Sequence, residues 1–168
     1  ASLGDEGRQE IHRLRMRMEN EIAKETAGSY NIKTGRGGMV DVEFIAQYLQ
    51  LRYGQKFPEL RTQNTVVALK EVQTLGIITE DQADTLVSGY KFLRKLENRL
   101  RLLHDHSIND LAEDQRYLDK LARRLAYDPQ LRHPGEALLK DYEATTEGIR
   151  DVFERILGEL ADGVEAQP

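Results

Sequence analysis

From Arg8 to Leu160 the apolar residues return at every third and fourth position and hardly ever at every second, which restricts the chain to helices that each bury one stripe. Ile11, Leu14, Met18 and Ile22 mark a first helix over about residues 8–26, ended by Gly28. A second runs from near Asp41, a good capping type, through Phe44, Ile45, Tyr48 and Leu49 to Gly54. Asn64 is placed to cap a third, bearing Val67, Leu69, Val72 and Leu75, and Gly76 stands where a left-handed residue ends a helix. Thr79 with Gln82 forms a capping box for a long fourth helix whose stripe runs Ala83, Leu86, Tyr90, Leu93, Leu96, Leu100, Leu103. A fifth spans about residues 113–126, and after Pro129 and Pro134 a sixth carries Leu138, Tyr142, Ile149, Val152 and Ile156. The expected fold is all-α, an antiparallel bundle of five or six helices with a Gly-rich loop after the first helix. One helical domain over residues 8–160 is expected, between loose polar tails at 1–7 and 161–168.

Between the first two helices, the segment from Ser29 to Val40 holds Gly35, Gly37 and Gly38, too many glycines for a helix interior. Tyr30, Asn31 and Ile32 suit a short extended piece. Flexible backbone and two cations, Lys33 and Arg36, precede a helix start, an arrangement that binds phosphate through exposed amides and charge-assisted contacts. A structural turn is the alternative, because the pattern is neither a Walker loop nor a dinucleotide fingerprint. Asp41 and Glu43 resemble a metal pair, but residues two apart on a helix diverge by about 200°. Helix capping is the plainer role for Asp41, with contact to a nucleotide across a domain boundary as the other.

The remaining chemistry is sparse. Lys91, Arg94, Lys95, Asn98 and Arg101 group along one side of the long helix, either as a solvated face or as a docking surface for an acidic or phosphate-bearing partner. His104 and His106 flank Asp105 at that helix's end, where they are expected to meet free carbonyls rather than a metal. Tyr30, Tyr48, Tyr53 and Tyr90 read as core or interface residues. There is no cysteine, hence no disulfide and no thiolate metal site, and no serine sits in a nucleophile elbow. A self-sufficient enzyme is therefore disfavoured. A net charge of −5 argues against nucleic acid as a partner, and no apolar run reaches the ~20 residues of a membrane span. With a mean hydropathy of −0.61, the chain reads as soluble and cytoplasmic.

The segment Ile32-Lys-Thr-Gly-Arg-Gly-Gly-Met-Val-Asp-Val-Glu-Phe-Ile-Ala-Gln-Tyr-Leu-Gln-Leu51 resembles the signature of the glutamine synthetase adenylyltransferases, Lys-x-Gly-x-Gly-Gly, two residues, Asp/Glu-Ile-Glu-Phe, two residues, Gln. Val42 replaces the usual isoleucine. Phe92-Leu-Arg-Lys-Leu-Glu-Asn-Arg-Leu100 is similar to a second family segment, and Leu14-Arg-Met-Arg-Met-Glu19 to the helix that leaves the family's transferase core. A looser form of the first signature occurs in PII uridylyltransferases. The resemblance implies a bifunctional regulator of two halves, each a nucleotidyltransferase core followed by a helical domain; one half moves AMP from ATP to a tyrosine of glutamine synthetase and the other removes it by phosphorolysis. This chain looks closer to the adenylylating half. ATP and Mg2+ would belong to the full-length enzyme and not to this chain alone, because the family's Asp-x-Asp core is absent here. Glutamine synthetase, a PII signalling protein and the chain's own core are the implied partners. On this reading Lys33, Gly35, Arg36, Gly37, Gly38 and Asp41 wall the nucleotide cleft, and Lys91, Arg94, Lys95 and Arg101 dock a partner.

Overall fold

Helix boundaries fall where capping chemistry puts them. In the computed structural model, which describes residues 3–104, 109–158 and 161, the Val67 amide donates to Asn64 Oδ1 at 3.1 Å and opens α3 (Thr65–Thr74). Thr79 and Gln82 exchange side-chain to amide bonds of 3.0 and 3.1 Å, the reciprocal box that opens α4 (Glu80–His104). Gly76 lies between the two at φ +73°, as its position implied. Asp114 caps α5 (Gln115–Arg124) by accepting from the Tyr117 amide at 2.9 Å, and Pro134 occupies the first turn of α6 (Pro134–Ile156).

The two other helices depart from expectation at their ends. α1 (Asp5–Met18) starts three residues inside the expected tail, because Leu3 packs over Gly7 and the acids Asp5 and Glu6 favour the positive end of the helix dipole. It passes into a π turn (Glu19–Ala23) and stops at Lys24, left-handed at φ +47°, four residues before Gly28. α2 (Met39–Tyr53) begins two residues ahead of Asp41, with Gly38 as its cap residue.

α6 lies against α2, α4 and α5 and forms the axis of the bundle. Leu86, Leu93, Leu96 and Leu100 of α4 meet Leu138, Tyr142, Ile149 and Phe153 of α6, and Val42, Ile45 and Leu49 of α2 complete the same core. Each such side chain contributes about 1.5–3 kcal/mol by leaving water. The extended piece expected at Tyr30–Ile32 is β1 (Ser29–Asn31), paired antiparallel with β2 (Asp110–Ala112), Tyr30 opposite Leu111. The short ladder brings the segment after α4 back to the glycine loop; further bonds run from the Ile32 amide to the Asn109 carbonyl and from the Glu113 amide to the Gly28 carbonyl, both 2.8 Å. Among the described residues no helix is long and apolar enough to cross a membrane. His106, the side chain of His104, and nearly all of the expected tail 161–168 lie outside the described residues.

The start of α6 is fixed by Asp119. Its Oδ1 accepts from the Gly135 amide at 2.8 Å and its Oδ2 faces His133 Nδ1 at 3.2 Å. The Gly135 bond foremost, and His133 beside it, hold the carboxyl below the ordinary aspartate value despite burial. A depressed folded-state value stabilises the fold above the unfolded value and loses that contribution as pH falls through the folded one. Asp119→Asn is therefore expected to unfold at lower urea than the parent at pH 7, with the gap closing as both are acidified through and below the depressed value of the Asp119 carboxyl. A gap that persists unchanged in acid would exclude Asp119 ionisation as its source.

Candidate functional site

The loop from Asn31 to Gly38 turns through a set of local bonds. Asn31 Oδ1 accepts from the amides of Lys33 (3.1 Å) and Thr34 (2.9 Å), and its carbonyl accepts from Gly35 at 2.9 Å. Glu25 accepts from the amides of Asn31 (2.8 Å) and Arg36, and Asp41 Oδ2 from Gly37 at 2.7 Å. The amides of Gly38, Met39 and Val40 bond to the carbonyls of Gly35, Ile32 and Lys33. Every amide from Lys33 to Val40 is thus bonded inside the chain, which corrects the expectation that exposed amides at the helix start await a phosphate. The glycines also serve packing. At Gly37, φ +71°, a Cβ would strike the Thr146 carbonyl of α6, and at Gly35 it would strike Glu25 and the Asn31 carbonyl. What the loop presents outward is Lys33, exposed and without an ion pair among the described residues, and Arg36, exposed and bound to Glu147 at 2.5 Å.

Beneath the loop lies a buried charge cluster. Asp41 and Arg15 are both 0% exposed, with Arg15 Nε 2.6 Å from Asp41 Oδ1. Arg15 Nη2 also donates to the carbonyls of Thr34 (2.9 Å) and Gly35 (2.8 Å), so one guanidinium holds both the loop and α2. Arg150 of α6 approaches the same carboxylate at 3.1 Å, reaches Glu19 at 2.9 Å and Glu154 at 3.2 Å, and stacks over Phe153. Burial opposes the Arg150 charge, but Asp41 and Glu19 outweigh it and raise its pKa. This corrects the nucleotide-contacting reading of Asp41, whose oxygens are taken by two arginines and an amide, and also the capping reading in part, since it binds Gly37 from within the first turn.

The cluster turns part of the expected apolar stripe of α1 outward, although Ile11 still packs against the core. Leu14 is 50% and Ile22 58% exposed, while Arg8, His12, Arg15 and Glu19 face the bundle. Arg8 Nη1 donates to the carbonyls of Leu157 (3.0 Å) and Gly158 (3.1 Å), groups left open at the end of α6. His12 lies against the Phe153 ring, centroids 5.7 Å apart. The sequence reading missed Arg8, Arg15 and Arg150. Two signals pointed to them: spacings of four, three and four from Arg8 to Glu19, as regular as the apolar stripe, and a single arginine within the buried run of α6.

Glu43, the second acid of the sequence pair, accepts from the Tyr90 hydroxyl at 2.9 Å, and Arg94 stacks over that ring. Burial and Glu43 together raise the Tyr90 pKa. With Asp41 and Glu43 both engaged and pointing apart, the pair does not fit a metal ion, and no group of three or more ligating side chains is assembled among the described residues. Lys91, Arg94, Lys95, Asn98 and Arg101 are all exposed on α4; Arg101 pairs with Glu97 at 2.9 Å, while Lys91 and Lys95 make no ion pair among the described residues. Removing the anion at the centre of the cluster leaves two buried guanidinium groups facing each other. Asp41→Asn should accordingly cost about 3–5 kcal/mol in urea unfolding, whereas Lys33→Ala, on the surface, should stay within about 0.5 kcal/mol.

A family model described as GlnD PII-uridylyltransferase matches residues 7–157. The bifunctional glutamine synthetase adenylyltransferase/adenylyl-removing enzyme of Bartonella quintana (strain Toulouse) is 41% identical over 102 residues, 61% of this chain and 10% of the relative. The enzyme of the same name from Bradyrhizobium diazoefficiens is 31% identical over 152 residues, 88% of the chain and 14% of the relative. That of Leifsonia xyli subsp. xyli is 33% identical over 156 residues, 92% and 15%. The chain spans 10–15% of the length of these relatives. The match runs through α1, the glycine loop, α2 and α6, the elements that the Asp41 cluster ties together. The chain belongs to the GlnD PII-uridylyltransferase family, as one helical segment like those of the bifunctional glutamine synthetase adenylyltransferase/adenylyl-removing enzymes.

Proposed function

We propose that this bundle stands beside the transfer centre of an enzyme that moves AMP from ATP to a tyrosine of glutamine synthetase, with Lys33 and Arg36 directed at the nucleotide phosphates. The observation that carries this reading is the loop itself: its amides from Lys33 to Val40 are bonded inward, and its two cations are exposed on the outer side. Charge placed on a fixed frame is what phosphate recognition needs, because little side-chain positioning is left to the moment of binding. Arg36 is held by Glu147 in the free chain, so a phosphate would exchange with that carboxylate. The glycines and Asp41 act as the frame and not as contacts.

In this reading the tyrosine oxygen attacks the α-phosphorus within a nucleotidyltransferase core outside the chain, and the metal-binding carboxylates lie there too. Asp41 and Glu43 offer no substitute, and the isolated chain is inactive. The likeness of the loop and α2 to the adenylylating half supports placing the bundle there, with removal of AMP by phosphorolysis in the other half, in a cytoplasmic regulator of nitrogen assimilation that answers to a PII signalling protein. A second reading, a docking module for glutamine synthetase or PII, is favoured by one observation: Lys91 and Lys95 are exposed and, among the described residues, without an ion pair, on the same helix face as Leu102, 66% exposed. Charge reversal at both lysines would then weaken partner binding and leave ATP affinity unchanged.

In the complete enzyme, Lys33→Ala and Arg36→Ala should each lower kcat/KM for AMP transfer about tenfold or more, the scale of one charge-assisted hydrogen bond, with unaltered urea midpoints. Unchanged kinetics in both variants would remove the loop from the nucleotide site.

A further inference from the structure

We infer that the outward apolar face formed by Leu14 of α1 and Ile22 of the π turn, with the half-buried Met18 between them, is an intramolecular docking surface, covered in the complete polypeptide by an apolar face of the transfer core. The inference rests on the proposed reading that such a core shares the polypeptide with this bundle.

An amphipathic helix ordinarily turns its apolar stripe to the core. α1 does so only in part: Ile11 and Met16 pack against the core beside Arg8, His12, Arg15 and Glu19, while Leu14 and Ile22, 50% and 58% exposed, are left to solvent. The π turn maintains that arrangement. In a regular helix eight residues advance by about 800°, leaving Ile22 about 80° away from Leu14. The wider turn at Glu19–Ala23 advances less per residue and returns Ile22 toward the stripe.

The rim identifies the kind of surface that fits. Glu10 pairs with Arg13 at 2.7 Å and Arg17 with Glu21 at 3.6 Å, so the charges bordering the stripe neutralise one another. A neutral rim around an exposed leucine and an exposed isoleucine suits an apolar protein face and gives no attraction to phosphate or to an anionic membrane. The chain matches only 10–15% of its relatives' length, so in such proteins most of the polypeptide is tethered to this bundle. Tethering supplies an effective concentration of order millimolar, ahead of any free partner or second copy.

The test uses the complete polypeptide. Because this segment has no cysteine, Leu14→Cys, Ile22→Cys and, as a reference in the α5–α6 turn, Leu131→Cys (Leu131 is 43% exposed) each place a single thiol in it, whose maleimide labelling is followed by peptide mass spectrometry. Labelling at positions 14 and 22 is expected to be at least tenfold slower than at 131, without added partners and independent of protein concentration. Equal rates would overturn the inference. Protection that requires glutamine synthetase, or that vanishes on dilution, would overturn it too, by assigning the stripe to another protein or to a second copy. AMP transfer is assayed on the same three variants before labelling. A protected stripe with no transfer would retain the interface and sink the proposed activity, and transfer with an open stripe would do the opposite.

Discussion

Burying an ionised carboxylate costs several kcal/mol unless the surrounding groups replace its water, and Asp41, with no exposed surface, is the group around which the loop, α1, α2 and α6 are arranged. Its two oxygens receive the Gly37 amide, Arg15 Nε and Arg150 Nη1, and Glu19 offsets the second guanidinium. Among the described residues Arg15 Nη1 is buried without a hydrogen-bond partner. What the cluster provides in return is position. Arg15 reaches the Thr34 and Gly35 carbonyls as well as Asp41, so the loop's path and the start of α2 are set by one planar group.

That dependence explains why the helices were legible in the sequence and the site only in part. Asn64, the Thr79–Gln82 box and Gly76 act within a few residues of themselves, so local spacing reveals them. α4 and α6 bury long unbroken stripes, and their burial follows from periodicity alone. The partners of Asp41 lie 26 and 109 residues away, and nothing local in the Asp-x-Glu pair announces that its first acid is an internal counter-ion. β2 was invisible for a different reason: a three-residue strand with a single buried side chain, Leu111, carries no alternation to read. The orientation of α1 was legible only in part because two stripes share the helix: Ile11 packs on the core as its spacing implies, but Leu14 and Ile22 yield to a polar stripe that has buried partners.

The glycines show the same shift from local to tertiary cause. A run with Gly35, Gly37 and Gly38 before a helix invites comparison with loops that wrap phosphates in backbone amides. Here the room beside Gly37 is taken by Thr146 of α6, so the residue is small because another helix passes there. The likeness to a phosphate loop lies in composition, and the amides that would make it one are used up.

A loop of this kind differs chemically from one with open amides. Open amides bind an anion by themselves and hold it wherever the backbone goes. A closed loop contributes only its side chains, and Lys33 and Arg36 have too little surrounding structure to form a site unaided: one is solvated, the other neutralised by Glu147. Their charge acquires force only when an opposing surface excludes water, because the same pair of charges interacts several times more strongly at an interface than in bulk solvent. The outward apolar stripe of α1 is the element of this chain suited to bringing such a surface near. Through Arg15 and Arg150, the helix that carries the stripe is bonded to the base of the loop that carries the cations, so the placement of one constrains the placement of the other.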